Sequence, residues 1–395
     1  MPVSRRSFVS GVSSAASLAF CGLAGEVRAH AAEAVGVTDP VARILFNENP
    51  LGPSPKALRA LSGKGMQFAR YPLGEGAKLA MKLRKLNGLP YAEPRPGLSL
   101  RPPETPDGPM DLVVGVGSSE ILNAAAWAYC SQSVGNVVEA YPGYSAVGSA
   151  ASRIPGAQIE RKLVPLDSNH CLDAKAMIDA IDNNTRIVVI CNPNNPTGTT
   201  IPLSDIEAIA NAAPKDALVF VDEAYIEFTE DGAGSSALDF AKTKQNVLIA
   251  RTFSKIYGLA GLRVGYGISS KAVIENLKQY MLGGLAHNMP GILAALAAVD
   301  DVDHIAATQT LKEKTHETWG RAFKKFGWKM PSTVTSFCWV DVGYDCSELV
   351  AFLAKRNVLI SGGQRWVLPN YVRISMGTEE ENDRLVAGAR AFIAS

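Results

Sequence analysis

The chain has 395 residues, 47% of them hydrophobic and 19% charged, and a formal net charge of +1. This composition is typical of a globular protein, and the length exceeds one compact core. We therefore expect two domains or one large α/β domain with an appendage. The near-zero charge and the lack of a basic run argue against nucleic acid as the main partner. After the N-terminus, no long uncharged apolar segment predicts a membrane-spanning helix.

The first 31 residues have the pattern of an export signal. Ser4-Arg5-Arg6-Ser7-Phe8-Val9 is a twin-arginine motif, and an apolar run follows it up to Gly25. Ala29-His30-Ala31 is a small-x-small cleavage site. We expect residues 1–31 to be a signal peptide, removed before Ala32, that uses the twin-arginine translocation machinery. The mature protein would then be periplasmic or secreted. The alternative is an Ala/Ser-rich leader that carries no targeting signal.

The next segment begins with RILFNENPLGPSP, a short extended run that ends in Pro/Gly turns, followed by a helical PKALRALS. Residues 88–110 are rich in proline and predict an exposed loop. The cysteines beyond the leader are odd in number and have no metal-ligand spacing, so we predict neither a metal site nor an obligatory disulfide. Cys130 and Cys191 lie in apolar runs and are expected in the core.

From residue 111 onward, strands and helices alternate. The predicted strands read DLVVGVG, NVVEAY, TRIVVIC, ALVFVD and NVLIART, and the helices between them include SSEILNAAAWAYC, LDAKAMIDAI and LSDIEAIANAA. This alternation predicts a mainly parallel sheet covered on both faces. Ligands of such folds bind beyond the carboxyl ends of the strands. The polar residues that fall at those ends are Ser118, Ser119, Tyr144, Asn195, Asp222, Tyr225 and Lys255.

Lys255 follows the last of these strands. A lysine among apolar neighbours loses hydration, so its amine is more readily neutral and can form a Schiff base with an aldehyde. Thr252, Ser254 and Arg263 lie close in sequence and are groups suited to a phosphate. An aldehyde and a phosphate on one small molecule describe pyridoxal phosphate (PLP). The alternative is a strand with a solvated lysine and a surface arginine.

The other polar residues also allow two interpretations. Asp222 ends a strand buried on both faces, and a buried carboxylate requires a cation or donors, such as a protonated pyridine nitrogen. It could instead cap the next helix. Ser118 and Ser119 open a helix whose free N–H groups favour an anion, although serine is also a common cap. Asn195 and Tyr225 could bind a phenolic oxygen, or belong to a turn and the core. Tyr144 could stack on a ring or be a turn residue.

Together the motifs resemble PLP-dependent aminotransferases of fold type I, and more narrowly the histidinol-phosphate aminotransferase branch. The resemblance extends from Arg43 to the C-terminus and is carried by NENPLGPSP, RYP, GSSEIL, YPGYS, CNPNNPTG, VDEAY, TFSKIYGLAGLRVGYG and VRISMGTEEEN. It implies an α/β large domain with a mainly parallel seven-stranded sheet and a smaller α+β C-terminal domain. We assign residues 32–70 to the N-terminal arm and part of the small domain, 71–285 to the PLP domain and 286–395 to the small domain.

The resemblance also implies a role for each site residue. Lys255 would hold the cofactor aldehyde and shuttle a proton, Asp222 would pair with the pyridine nitrogen, and Tyr144 would stack on the ring. Tyr225 and Asn195 would contact the phenolic oxygen. Arg373 would clamp the substrate carboxylate, with Asn195 also at the substrate. The phosphate ligands would be Ser118, Ser119, Thr252, Ser254, Arg263 and Tyr71, the last from a second subunit of a homodimer.

Two departures from the branch concern the substrate. Leu51 stands where the branch usually has tyrosine, and Ser361 where it usually has arginine, both at the end that receives the substrate phosphate. Each charged hydrogen bond lost costs about 1.5–3 kcal/mol. We therefore expect a free L-amino acid and an α-keto acid as substrates rather than histidinol phosphate. Leu51, Trp366 and Tyr371 favour an apolar or aromatic side chain on the amino acid. Arg365 is the nearest candidate to replace the missing arginine. The alternatives are another PLP reaction, namely oxidation, elimination, cyclisation or racemisation, and a true histidinol-phosphate aminotransferase. A non-catalytic scaffold is disfavoured because Lys255 and Asp222 are present.

Overall fold

The computed structural model describes residues 41–91 and 108–395. The predicted leader at residues 1–31 lies outside the described residues, as does most of the Pro-rich segment at 88–110. Among the described residues, none of the helices combines the length and apolar character needed to cross a bilayer. In the same ranges, no group of three or more His, Cys, Asp or Glu side chains is placed to hold a metal ion.

The strands of the described ranges, numbered in chain order, are β1 (Ala42–Arg43), β2 (Met110–Val116), β3 (Val134–Tyr141), β4 (Gln158–Pro165), β5 (Thr185–Cys191), β6 (Leu218–Asp222), β7 (Val247–Thr252), β8 (Val264–Ser270), β9 (Phe337–Asp341), β10 (Val358–Leu359), β11 (Ser361–Gly362) and β12 (Tyr371–Ser375). The helices are α1 (Pro55–Leu61), α2 (Leu73–Leu86), α3 (Ser118–Cys130), α4 (Ala146–Ala151), α5 (Ala174–Ala180), α6 (Leu203–Ala212), α7 (Leu238–Ala241), α8 (Lys271–Lys278), α9 (Met289–Ala298), α10 (Val302–Phe326), α11 (Ser347–Ala354) and α12 (Glu379–Ile393).

The large sheet has seven strands in the order β2-β8-β7-β6-β5-β3-β4. Strand β8 runs antiparallel to both of its neighbours, and the remaining pairs of adjacent strands are parallel. The predicted α/β class with a mainly parallel sheet is therefore confirmed. Strands β4 and β8 were not expected from the periodicity. β4 is an edge strand with polar residues at four of its eight positions, and β8 contains two glycines, so neither has a continuous apolar run.

Both faces of the large sheet are buried. On β6, Leu218 and Phe220 pack in one apolar cluster with helices α3, α4 and α8, while Val219 and Val221 pack in the other with α2, α5, α6 and α9. Successive side chains of a strand point to opposite faces, so a strand covered on both sides must be apolar at every position. This requirement explains why the central strands are uninterrupted apolar runs and why their polar residues begin where the strands end.

A second core lies under the antiparallel sheet β11-β12-β9. It contains Trp319 and Phe323 of α10, together with residues of α11, α12 and the paired strands β1 and β10. Ala42 and Ile44 belong to this cluster, so the N-terminal arm packs with C-terminal elements. The sequence-based boundary at residue 286 stays a prediction. The side chains of α9 that follow it, such as Ile292, pack in the large-sheet cluster.

The start of α3 decides between the two interpretations of its serines. Capping was the alternative to anion binding, but Gly117 is the N-cap residue, with φ of 68°, and no side chain caps the helix there. The first N–H groups of α3 therefore remain available to a ligand. Cys130 and Cys191 are buried, as predicted.

Candidate active site

The polar residues at the strand ends converge because their strands are neighbours. Asp222 ends β6, and its register partners are Cys191 at the end of β5 and Ala250 near the end of β7. Lys255 and Asn195 follow β7 and β5 by a few residues. The carboxyl edge of the large sheet thus carries a carboxylate, an amine and an amide within one cluster, as the alternation of strands and helices predicted.

Lys255 lies half-buried beside the N-terminal arm. Its Nζ donates a hydrogen bond to the carbonyl oxygen of Phe46 at 3.1 Å and lies 5.6 Å from the ring centroid of Tyr225. The pKa of the Lys255 amine is lowered to about 8, mainly by burial and also by the positive charge of Arg373. About one tenth of the amine is therefore neutral at pH 7, and this is the form that attacks an aldehyde.

Asp222 is almost completely buried, at 3% exposure. Its Oδ1 accepts a hydrogen bond from the backbone N–H of Ala224 at 3.1 Å. Among the described residues, no side chain or backbone donor is bonded to the other oxygen. Burial raises the pKa of Asp222 to about 6, although the Ala224 N–H and the Lys255 charge oppose the shift. A cationic N–H donor would stabilise this carboxylate, since a buried charge without a partner is costly.

Arg263 directly precedes β8, and its guanidinium lies beside the start of α3, where it forms a cradle with nearby hydroxyls. Its Nη2 donates to Ser119 Oγ at 3.2 Å, and its Nη1 donates to Ser254 Oγ at 3.3 Å and to the Ala260 carbonyl oxygen at 2.8 Å. Thr252 accepts from the Ser254 N–H at 3.1 Å. The free N–H groups of a helix terminus, a guanidinium and hydroxyls are the donor set that a phosphate requires. Ser118, the first residue of α3, is half-buried beside this cradle.

Gly117 allows the guanidinium to approach the helix. A Cβ atom at this position would lie 2.2 Å from Arg263 Nη2, and the φ of 68° is unfavourable for residues with a side chain. Gly265 is equally restricted, because its Cβ would lie 2.2 Å from the backbone nitrogen of Ser118. The cradle therefore depends on two positions without side chains.

Tyr225 is held by a residue that the sequence did not single out. The Nδ2 of Asn47 donates to the Tyr225 hydroxyl at 2.9 Å, and the Asn47 Oδ1 accepts from Ser375 Oγ at 2.7 Å. All three side chains are buried, and burial raises the pKa of Tyr225. Asn47 belongs to the NENP motif, but nothing local indicates its partner, because Tyr225 lies 178 residues away.

Arg373 and Asn195 are in direct contact. Arg373 Nη1 donates to Asn195 Oδ1 at 2.7 Å, and Nη2 donates to the Leu45 carbonyl oxygen at 2.5 Å. The Nε of this guanidinium is buried and has no hydrogen-bond partner among the described residues. Burial lowers the pKa of Arg373 to about 10, so it remains charged at neutral pH. An anionic ligand would satisfy the unused donor and offset the cost of burying the charge.

Two predicted residues lie at the margin of this cluster. Tyr144 follows β3 and is 41% exposed, and burial of its hydroxyl together with the negative charge of Asp222 raises its pKa. Tyr71 is 69% exposed and does not contact the other predicted residues within one chain. The structure thus brings Lys255, Asp222 and Tyr144 to one edge of the sheet, whereas Tyr71 remains outside.

The cluster fits the PLP cofactor. The unpaired oxygen of Asp222, the partly neutral Lys255 amine and the Arg263 cradle match the pyridine nitrogen, the aldehyde and the phosphate of this molecule. An α/β fold with this topology and these groups defines a PLP-dependent enzyme of fold type I. The chain belongs to the aminotransferase class I and II family, whose sequence profile matches residues 46–388. It is a PLP-dependent aminotransferase.

Curated relatives and a solved structure agree with this assignment. The histidinol-phosphate aminotransferase 2 of Pseudomonas aeruginosa is 34% identical over 358 residues, which cover 90% of each protein. The histidinol-phosphate aminotransferase of Brevibacillus brevis is 33% identical, with 91% of this chain and 92% of the relative covered. The crystal structure of histidinol-phosphate aminotransferase from Sinorhizobium meliloti with pyridoxal-5'-phosphate has a TM-score of 0.78 and 25% identity, covering 93% of this chain and 94% of that one.

The Gly117→Ala substitution tests the cradle. The added methyl group would displace the Arg263 guanidinium, so we expect PLP to bind about tenfold more weakly, the equivalent of one charged hydrogen bond. Gly261→Ala is the matched control, because a Cβ there has no neighbour within 4 Å. Spectroscopic titration of the apo-protein measures both affinities. Pyridoxal without its phosphate should lose much less affinity in Gly117→Ala, and an equal loss for both ligands would contradict the cradle.

Proposed function

We propose that this aminotransferase moves the amino group of a free L-amino acid to an α-keto acid. The proposal rests on one observation: two cationic side chains are hydrogen-bonded to the backbone carbonyl groups of two consecutive residues. Lys255 Nζ is bonded to the carbonyl of Phe46, and Arg373 Nη2 to that of Leu45. The amine and the guanidinium therefore flank one short space, which matches the adjacent amino and carboxylate groups of an α-amino acid.

Each side chain then has a defined task. When bound, PLP supplies an electron sink for the carbanion at the substrate α-carbon. The buried carboxylate of Asp222 pairs with the pyridine nitrogen, and the Asn47-supported hydroxyl of Tyr225, with Asn195, binds the phenolic oxygen. Tyr144 covers the ring. Lys255 would hold the aldehyde of the cofactor, and its Nζ would carry a proton to and from the substrate α-carbon.

The remaining residues bind two anionic groups, the carboxylate of the substrate and the phosphate of the cofactor. Arg373 orients the substrate carboxylate, because its guanidinium is fixed by Asn195 and Leu45 and retains a buried unused donor. Arg263, the serines of α3, Thr252 and Ser254 bind the cofactor phosphate. Proton transfer at the α-carbon requires this fixed orientation, since a small misplacement of the reacting atoms is costly in rate.

The choice of a free amino acid rests on the pocket beside Arg373. Ser361, where the related branch usually has arginine, donates to the Leu45 carbonyl oxygen at 3.2 Å and lies 3.4 Å from Arg373 Nη2. Because Ser361 is short and uncharged, a substrate phosphate would lack the positive charge that an arginine at this position would supply. Trp366 is buried nearby, and its ring lies 5.4 Å from the Arg373 guanidinium, which suits an apolar or aromatic side chain. The names of the relatives favour histidinol phosphate as the second candidate.

A panel of amino donors tests the reaction and the donor. We expect free L-amino acids to convert the bound cofactor to pyridoxamine phosphate at least tenfold more efficiently than histidinol phosphate, given the loss of about one charged hydrogen bond at position 361. A keto acid should reverse the conversion, and Lys255→Ala should abolish it. A strong preference for histidinol phosphate would overturn the choice of donor. Formation of peroxide, ammonia or a ring-closed product in place of pyridoxamine phosphate would overturn amino transfer.

We further propose a homodimer with shared sites. Several large apolar side chains are exposed, namely Met66, Phe68, Tyr71, Leu282 and Leu285. Of these, Leu282 lies beside α3, because its N–H donates to Glu120 at 2.7 Å. An apolar patch of this kind is typical of an interface. A second copy that covers it would place its own Tyr71 at the phosphate.

Subunit mixing tests this arrangement. Lys255→Ala should be inactive and Tyr71→Ala impaired, but a hybrid dimer would contain one intact site. Mixing equal amounts after mild dissociation should restore about one quarter of the wild-type activity, as expected from random pairing of subunits. Subunits mixed without dissociation are the control. Sites complete within one chain would show no recovery.

The export signal is a separate proposal, supported by the twin-arginine motif of residues 1–31. Replacement of Arg5 and Arg6 by lysine should retain the protein in the cytoplasm of its native host, because the translocation machinery requires the arginine pair. Fractionation and N-terminal sequencing measure the outcome, with Ala32 expected as the first residue of the exported form. An unprocessed cytoplasmic wild-type protein would refute the proposal.

A further inference from the structure

A buried ion pair lies directly behind the cofactor contacts of β6 and β7. Arg251, the residue before Thr252, is 4% exposed, and Glu223, the residue after Asp222, is 1% exposed. The Arg251 Nε donates to Glu223 Oε2 at 2.9 Å. Neither member of the pair has a task in the proposed reaction, although each is the chain neighbour of a residue that has one.

All three nitrogens of the Arg251 guanidinium are bonded to buried groups. Besides the bond to Glu223, Nη1 donates to Asn87 Oδ1 at 2.9 Å, and Nη2 donates to Ser236 Oγ at 2.8 Å. Asn87 is the C-cap residue of α2, and Ser236 lies two residues before α7. Glu223 also accepts from the Ser236 hydroxyl and from the Ala237 N–H, both at 2.8 Å. The arginine therefore joins the ends of β6 and β7 to two helices.

The ion pair and the phosphate contact lie on opposite faces of the large sheet. Arg251 is the register partner of Tyr266 on β8, and Tyr266 packs in the same apolar cluster as α2 and α9. Successive side chains of a strand alternate between faces, so Thr252 points to the other side, where α3 carries the cradle. The Glu223 N–H donates to the Ala250 carbonyl oxygen at 2.9 Å, which continues the pairing of the two strands beyond the end of β6. Contacts on one face can thus fix two strand ends whose other face binds the cofactor.

We infer that Arg251, acting through Glu223, is a positioning residue. Its role is to fix the distance between the carboxylate that pairs with the pyridine nitrogen and the hydroxyl that binds the phosphate. The inference rests on the proposed roles of Asp222 and Thr252 and deepens them. PLP holds its ring nitrogen and its phosphate at a nearly constant separation. Both contacts therefore form at full strength only when the spacing of the two strand ends is set before the cofactor binds.

The energetics of buried charges favour this role over simple stabilisation. Burial of an ion pair is costly, and apolar residues of similar volume are often as stabilising. A network whose hydrogen bonds are all satisfied rigidifies the elements that it joins. The same sheet contains a contrasting pair, in which Arg161 of β4 donates to Glu139 of β3 at 2.6 Å. There, Glu139 Oε2 is buried and has no hydrogen-bond partner among the described residues.

Ligands that occupy one end or both ends of the site test the inference. Arg251→Lys keeps the charge, but a lysine has no planar fork with which to bridge three acceptors. We expect PLP to bind this variant about tenfold more weakly, the equivalent of one charged hydrogen bond. Inorganic phosphate and pyridoxal each occupy one end, so their affinities should change less than about twofold. Calorimetric titration of the apo-protein measures all three.

Glu223→Gln is the second variant, because it preserves the shape of the side chain and removes its charge. It should show the same selective loss for PLP, and it keeps the test decisive if Arg251→Lys does not fold. Arg161→Lys is the matched control, and all three ligands should bind to it as they bind to the wild type. Equal losses for the three ligands, or unchanged affinities, would overturn the positioning role. A wild-type protein that binds neither phosphate nor pyridoxal would instead contradict the proposed cofactor contacts.

Discussion

The site depends on the burial of opposite charges at the edge of a sheet whose two faces are both covered. Asp222 and Lys255 sit where apolar strands end, and burial shifts the pKa of the carboxyl upward and that of the amine downward. Each shift favours the neutral form and so marks a charge that lacks sufficient partners. PLP offers a cationic nitrogen to the first and an aldehyde to the second. The covered sheet therefore leaves two buried groups without sufficient partners, and PLP would provide a partner for each.

The N-terminal arm connects this edge to the small antiparallel sheet. Three consecutive residues contact three site residues: the carbonyls of Leu45 and Phe46 accept from Arg373 and Lys255, and Asn47 donates to Tyr225. Because the arm also packs in the second core, the position of Arg373 relative to the Lys255 amine is set by elements from both ends of the chain. Correct placement of the reacting groups thus requires the complete fold.

Arg373 is held in place by the protein itself. It is buried, and two of its nitrogens are bonded to protein acceptors, so its orientation is fixed without a ligand. Its third nitrogen, Nε, has no hydrogen-bond partner among the described residues. A fixed guanidinium with an unused buried donor is suited to binding an anionic group.

The amino-acid sequence by itself determined the fold class and predicted most residues of the candidate site, because a strand covered on both faces, such as β6, is largely apolar. Polar residues such as Asp222 and Lys255 then stand out at the strand ends. Asn47 could not be found in this way, since its contact with Tyr225 spans 178 residues and leaves no local pattern. The glycine-containing strand β8 was likewise decided by tertiary structure, because it pairs with β2 and β7. Such pairing depends on neighbours distant along the chain, β2 above all.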